Sequence, residues 1–288
     1  MSRPWESLPT EPGHGLTGNL AGFRAAPHHY TARLANTHGG LARFRVLHHR
    51  LLAVTDPQVI HEILCLRPDR YVRGRQYRNM QQALGRGLLS TMGAERKERR
   101  SLMNPLFRAE RLRRVVQTTE AATGQLCRRW EEQRQAGRPV PAVAEARWLT
   151  ITVMARTLFS HDLAEPTVRR LSELILQSTG LLREKNMALW NPPPWVPTRR
   201  NRRLAGVRHF LDQLLQAELD RRQRDDAPDD DDLLGGLLAL RDPQSGEPLP
   251  AQAVLDELRT LFSAGFETTA AALAWTLWRH ARHPEVAA

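Results

Sequence analysis

The sequence is poor in cysteine, lysine and aromatic side chains, and each shortage narrows what the chain can be. Its two cysteines, Cys65 and Cys127, stand far apart and outside any C-x-x-C pair. That argues against a disulfide scaffold or a zinc ribbon and fits a reducing, cytoplasmic setting, with both thiols read as ordinary semi-buried side chains. Aromatic residues make up 6% of the chain and do not interleave with its basic cluster, so an arginine-rich nucleic-acid binder is the least favoured function class. No H-E-x-x-H, G-x-S-x-G or G-x-x-x-x-G-K string occurs, which removes the zinc-protease, serine-hydrolase and P-loop chemistries. The histidine pairs His28-His29 and His48-His49 are adjacent, and adjacent side chains diverge on a helix or strand, so they make poor chelates. The opening MSRPWESLPTEPGHG carries proline and charge where a signal peptide needs an apolar stretch, so neither secretion nor an N-terminal anchor is expected.

What is abundant is arginine. Lys97 and Lys185 are the sole lysines among 42 basic residues, and the formal net charge is +11. Arginine rises together with alanine, glycine and proline, the composition that a GC-rich coding sequence produces. Its clustering says more than its total. Arg96, Lys97, Arg99, Arg100, Arg108, Arg111, Arg113 and Arg114 share a short stretch that should form a positive surface attractive to anions or to an acidic protein. With 288 residues, 41% of them apolar, the chain is long enough to bury a stable core without covalent staples.

Periodicity and capping signals predict a mainly α protein with one small β hairpin. PHHYTARLANTHG reads as a short helix ended at Gly39-Gly40, LARFRV and LLAVTD as paired strands, and Asp56-Pro57 as the cap of a helix reaching Cys65. Tyr71 to Gly87 reads as a loop. A basic helix runs from Gly93 to about Asn104, and a long amphipathic one from Ala109 to Gln135. Further helices end at Phe159, span Leu171 to Leu189 and span Asn201 to Arg224. WNPPPWVPT is an extended connection and DDAPDDDD a solvated acidic loop whose last Asp caps LLGGLLAL. Pro250 opens a final helix that His283-Pro284 ends. It is weighed as a membrane span only as a minor alternative, because a central Glu and a composition rich in Gly, Ser and Thr oppose that reading.

The stretch AGFETTAAALAW within that last helix raises the sharpest question. Glu267 is the sole charged side chain between Thr260 and Trp278. If buried and unpaired it would cost several kcal/mol, on the order of the penalty for taking a charge out of water. Ala264, Thr268, Ala271 and Ala272 leave room beside it for a flat ligand to approach the backbone. Two plainer readings stand alongside: the Thr268 hydroxyl bonds back to the Ala264 carbonyl, and Glu267 pairs with a distant arginine.

AGFETT, with DELRTLFS before it and ALAWTLWRHARHPEVAA after it, resembles the central helix of the cytochrome P450 haem-thiolate monooxygenases. LPTEPGHGLTGNL resembles the proline-rich entry of that family. LARFRV with LLAVTDP resembles its first hairpin, and GRGLLSTMGAERKERRSLMNPLF its loop and helix over the haem. The resemblance covers nearly the whole chain in order, and implies one domain over 1–288 corresponding to the N-terminal two-thirds of the family fold. By position it implies that Thr268 holds iron-bound dioxygen and its water, that Glu267 delivers protons beside a small wet cavity in an interrupted helix, and that Ala264 and Gly265 pack on the porphyrin of haem b. Arg100 takes the family's propionate-binding arginine position. Arg96 stands where the family has tryptophan, and at i and i+4 both guanidinium groups can reach carboxylates from one helix face. Leu88, Leu89, Phe262 and Phe266 are the implied substrate-pocket residues, facing an apolar small molecule. The basic face around Arg96–Arg114 would receive a ferredoxin- or flavodoxin-type donor carrying electrons ultimately from NAD(P)H.

The family's iron-ligating cysteine follows the central helix, and neither Cys65 nor Cys127 has its glycine-rich surroundings, so no metal ligand is assigned in this chain. On that basis the chain is expected to be part of such an enzyme and, taken alone, inactive, since the thiolate's electron push would be missing. A catalytically dead binding module of the same ancestry is the alternative.

Overall fold

The computed structural model describes residues 5–74, 76–187, 192–224 and 232–287; Asp225 to Asp231 of the acidic run and Leu189, the expected end of one helix, lie outside them. Backbone contacts divide the chain into two compact units, Met1–Arg73 and Gly74–Ala288.

In the first unit, α1 (Leu20–Ala25) and α2 (Pro27–His38) lie beside an antiparallel hairpin of β1 (Leu41–Val46) and β2 (His49–Val54). The expected helix is α2, and the short α1 precedes it. Pro27 opens α2 at its first turn, where a missing N–H costs nothing, and Gly39 closes it in the left-handed conformation at φ +68°. The strands pair from Leu41 with Val54 to Val46 with His49, so the connecting turn is Leu47-His48, one residue earlier than expected, with Leu47 at positive φ. Tyr30, Leu34, Phe44 and Ala53 form the core of this unit, with Phe23 set edge-on to Tyr30 at 6.0 Å. Glu11 bonds Arg33 at 2.7 Å and His38 at 3.1 Å, and the His38 bond is the main cause of its carboxyl titrating below the ordinary range. Asp56 caps α3 (Pro57–His61) as expected, accepting from the amides of Gln58 and Val59. A π turn, Glu62–Leu66, then carries Cys65, which is exposed rather than semi-buried.

The second unit is helical throughout. The expected loop after Tyr71 contains instead α4 (Gln76–Leu84). Tyr77, Met80 and Leu84 recur at helical spacing there, a pattern hidden by the polar residues between them. Next come α5 (Gly93–Met103), α6 (Ala109–Gln135), α7 (Ala142–Phe159), α8 (Glu165–Met187) and α9 (Arg199–Arg224). Helix α8 starts six residues before the expected Leu171, with Pro166 in its first turn. Cys127, on α6, is exposed as well. Asp232 caps α10 (Leu233–Ala239), its carboxylate accepting from the Gly235 amide at 2.7 Å. The last long helix, α11 (Ala251–Arg282), begins after Pro250 and ends before His283, as expected. Its first half crosses the core, where Leu258 and Phe262 pack among Ile151 and Leu158 of α7 and Leu215 of α9. Gly265 packs against α7: a Cβ built there would meet the Met154 side chain. No helix among the described residues is long and apolar enough to cross a membrane.

Candidate functional site

The site is assembled on α11 by a loop that has no regular structure of its own. Between α4 and α5 the chain runs GRGLLST, and two consecutive acids of α11 hold it down. Asp256 accepts from the Arg86 amide at 2.9 Å, and Glu257 accepts from the Leu88 amide at 2.9 Å. Both approaches require glycine. A Cβ on Gly85 would strike the Asp256 carboxylate, and one on Gly87 would strike the Thr260 hydroxyl and the Asp256 carbonyl. Glu257 is 2% exposed, and its other oxygen binds Arg99 of α5 at 2.9 Å. Burial outweighs those favourable contacts and lifts its carboxyl above the ordinary range. Arg259, equally buried, bonds both Asp256 and Asp212 of α9, so these two acids share one cation. Sequence reasoning missed this network and placed Arg99 on a solvated face. The signal was the pairing of a Gly-x-Gly loop with adjacent acids in DELRT.

The loop, α4, α8, α9 and α11 line an open cavity of about 460 Å³. Leu84, Leu89, Ile175, Leu182, Leu211 and Phe266 supply apolar walls, and Glu267 stands at its edge. Of the four residues assigned to a substrate pocket, Leu89 and Phe266 line this cavity. Leu88 is half-buried against the core, its amide held by Glu257, and Phe262 is wholly buried in the core.

Glu267 is half-exposed rather than deeply buried, and its partner is not an arginine: the Thr179 hydroxyl of α8 donates to it at 2.8 Å. Thr268 donates to the Ala264 carbonyl at 3.0 Å, and Thr269 and Thr276 bond back one turn in the same way. These bonds belong to a continuous helix, so the interruption expected at this point is not present. A hydroxyl that donates in this way keeps its lone pairs, so Thr268 can still accept a hydrogen bond from water.

Ala264, Thr268, Ala271 and Ala272 lie along one exposed face of α11, which Trp275 continues at 64% exposure. Gly265, seven residues before Ala272, borders this face and has Met154 of α7 against it. Arg96 and Arg100 occupy one side of α5 as i and i+4; Arg100 is exposed and Arg96 half-buried. The exposed stripe of small side chains fits one side of a flat macrocycle, and the two guanidinium groups suit its carboxylates. Among the described residues no cluster of His, Cys, Asp and Glu is arranged to hold a metal ion.

A family model described as "Cytochrome P450" matches residues 8–288. The chain belongs to the cytochrome P450 family. It is 29% identical over 289 aligned residues to "Cyclooctat-9-en-7-ol 5-monooxygenase" of Streptomyces melanosporofaciens, covering 99% of this chain and 60% of that protein. It is 26% identical to "Cyclooctatin synthase" of the same organism, covering 98% of this chain and 61% of the relative, and 28% identical to "Pentalenene oxygenase" of Streptomyces avermitilis, covering 95% and 59%. The chain therefore spans about 60% of the length of these relatives. Its largely helical architecture with one two-stranded sheet is that of a P450.

Proposed function

We propose that the protein is a haem-thiolate monooxygenase that inserts one oxygen atom from O2 into an apolar substrate, residues 1–288 belonging to a single domain of that enzyme. The observation that carries this reading is the placement of AGFETT: a carboxylate at the edge of an apolar cavity, followed at once by a threonine on an exposed small-residue face. Ala264 and Thr268 would lie against haem b, with Gly265 bordering them, and Arg96 and Arg100 would bind its propionates. When bound, the haem supplies the iron at which dioxygen is activated. The chain's own residues do the rest. The cavity walls exclude water and hold the substrate by burial of its apolar surface. Glu267, a titratable group beside that space, passes protons inward, and Thr268 accepts the hydrogen bond of the water that carries them. Thr179 fixes the carboxylate's orientation.

Electrons would come from NAD(P)H through a ferredoxin- or flavodoxin-type protein docked on the basic face around Arg96–Arg114, and the setting would be cytoplasmic. The names of the relatives pair oxygenases with pentalenene and with a cyclic alkenol, in keeping with an apolar pocket. The test is the spectrum of the haem-loaded protein isolated from its native host, reduced and exposed to carbon monoxide. A Soret band shifted to the red in the manner of thiolate ligation supports the reading. A spectrum typical of imidazole-ligated haem overturns it.

A further inference from the structure

Beside the apolar cavity lies a smaller annex of about 160 Å³, sharing Asn79, Leu182, Leu204 and Arg208 with it as lining residues. Its chemistry is different. Lys185 lines it while only 4% exposed, an unusual position for one of two lysines in a chain that otherwise uses arginine. Its ammonium donates to the Gln82 side-chain oxygen at 2.5 Å, and Arg208 donates to the Gln82 main-chain carbonyl at 2.8 Å. Both cations thus bond to Gln82 of α4. Asn79, Gln82 and Asn201 add amides to the lining, and among its described residues there is no carboxylate; Asp212, 3.6 Å from Arg208, lies outside it. Burial, with the charge of Arg200 added, pushes the Lys185 ammonium below its usual range, and an anion beside it would favour the charged form.

From this placement we infer that the cavity takes a substrate with an apolar body and a terminal carboxylate, and that Lys185 and Arg208 anchor the carboxylate in the annex. The inference rests on the reading of the cavity as a substrate pocket. It sets specificity through a fixed end: the carboxylate decides which part of the apolar body lies beside Phe266 and Glu267. A neutral alcohol of equal length would fill the same walls and forgo the charged contact.

The test is calorimetric titration of this chain, below micelle-forming concentrations and at neutral pH, with laurate, methyl laurate and lauryl alcohol. Laurate is expected to bind about tenfold more tightly than its ester or the alcohol, as one charge-assisted contact warrants. Lys185→Met should abolish that preference and Lys185→Arg should keep it. Gln82→Glu, which sets a carboxylate on the ammonium while leaving Lys185 in place, should also abolish it, and serves if Lys185→Met does not fold. Equal binding of the three ligands, tighter binding of the alcohol, or a preference that survives Gln82→Glu overturns the inference. No haem is needed, so the outcome is independent of the carbonyl spectrum that tests the proposed reaction.

Discussion

The two halves of α11 invert the usual division between buried apolar and exposed charged residues. In the first half Asp256, Glu257, Arg259 and Thr260 are all buried, each with a named partner. In the second half Glu267 is the sole charged side chain as far as Trp278, yet Ala264, Thr268, Ala271, Trp275 and Trp278 are exposed. Charge in the first half is structural: it pins the loop that carries Leu88 and Leu89 and ties α11 to α5 and α9. The near-absence of charge in the second half is permissive, because a face of alanine and threonine is shaped to be covered by something flat. One helix thus anchors the fold at one end and presents a surface at the other.

The contrast can be broken most forcefully in the first half. Arg259→Met removes the cation shared by Asp256 and Asp212 and should cost about 3–5 kcal/mol, as expected when one member of a buried ionic network is deleted; the denaturant midpoint measures it. At the boundary, Gly265→Ala sets a methyl against the flexible Met154 thioether, which can give way while alanine gains about 1 kcal/mol of helix propensity, so the net change in stability should stay within about 1 kcal/mol. A smaller effect concerns pH. Because burial raises the Glu257 carboxyl above its ordinary value of 4.5, the folded chain holds this proton at pH values where the unfolded chain has lost it. Stability from this group therefore falls as pH rises through the interval just above 4.5, and Glu257→Gln should remove that slope in unfolding curves taken across it. The least effect belongs to the second half: Thr268→Val, on the exposed face, should change stability by less than about 0.5 kcal/mol. A large loss there would mean that the face is already part of the core.

Legibility in the sequence followed the range of the interactions. Local devices were plain: the Asp56-Pro57 cap, the Gly39 stop, the Asp232 cap and the limits of α6 and α11 all follow from neighbouring residues. Helix α4 was hidden because QYRNMQQAL spreads four apolar residues among polar ones between two glycines. The acid network was hidden for a different reason. Asp256 and Glu257 find their partners 170, 169 and 158 positions away, at the Arg86 amide, the Leu88 amide and the Arg99 side chain, and no periodicity encodes such a pairing. In the site, the AGFETT string located the acid and the alcohol, but the partner of Glu267 is Thr179 of α8 rather than the arginine that was weighed. Phe262 and Phe266 looked alike in sequence and both are buried in the same core cluster, yet of the two Phe266, one turn further on, is the one that lines the cavity.

Amide hydrogen exchange along α11, with and without added hemin, tests the difference between its halves most directly. Without hemin, amides from Val254 to Phe262 should exchange only through global unfolding, while those beyond Ala271 exchange faster through local opening. Hemin should slow exchange between Ala264 and Thr276 and leave the first half unchanged. Uniform protection along the whole helix, or hemin-induced slowing confined to the first half, would contradict the account.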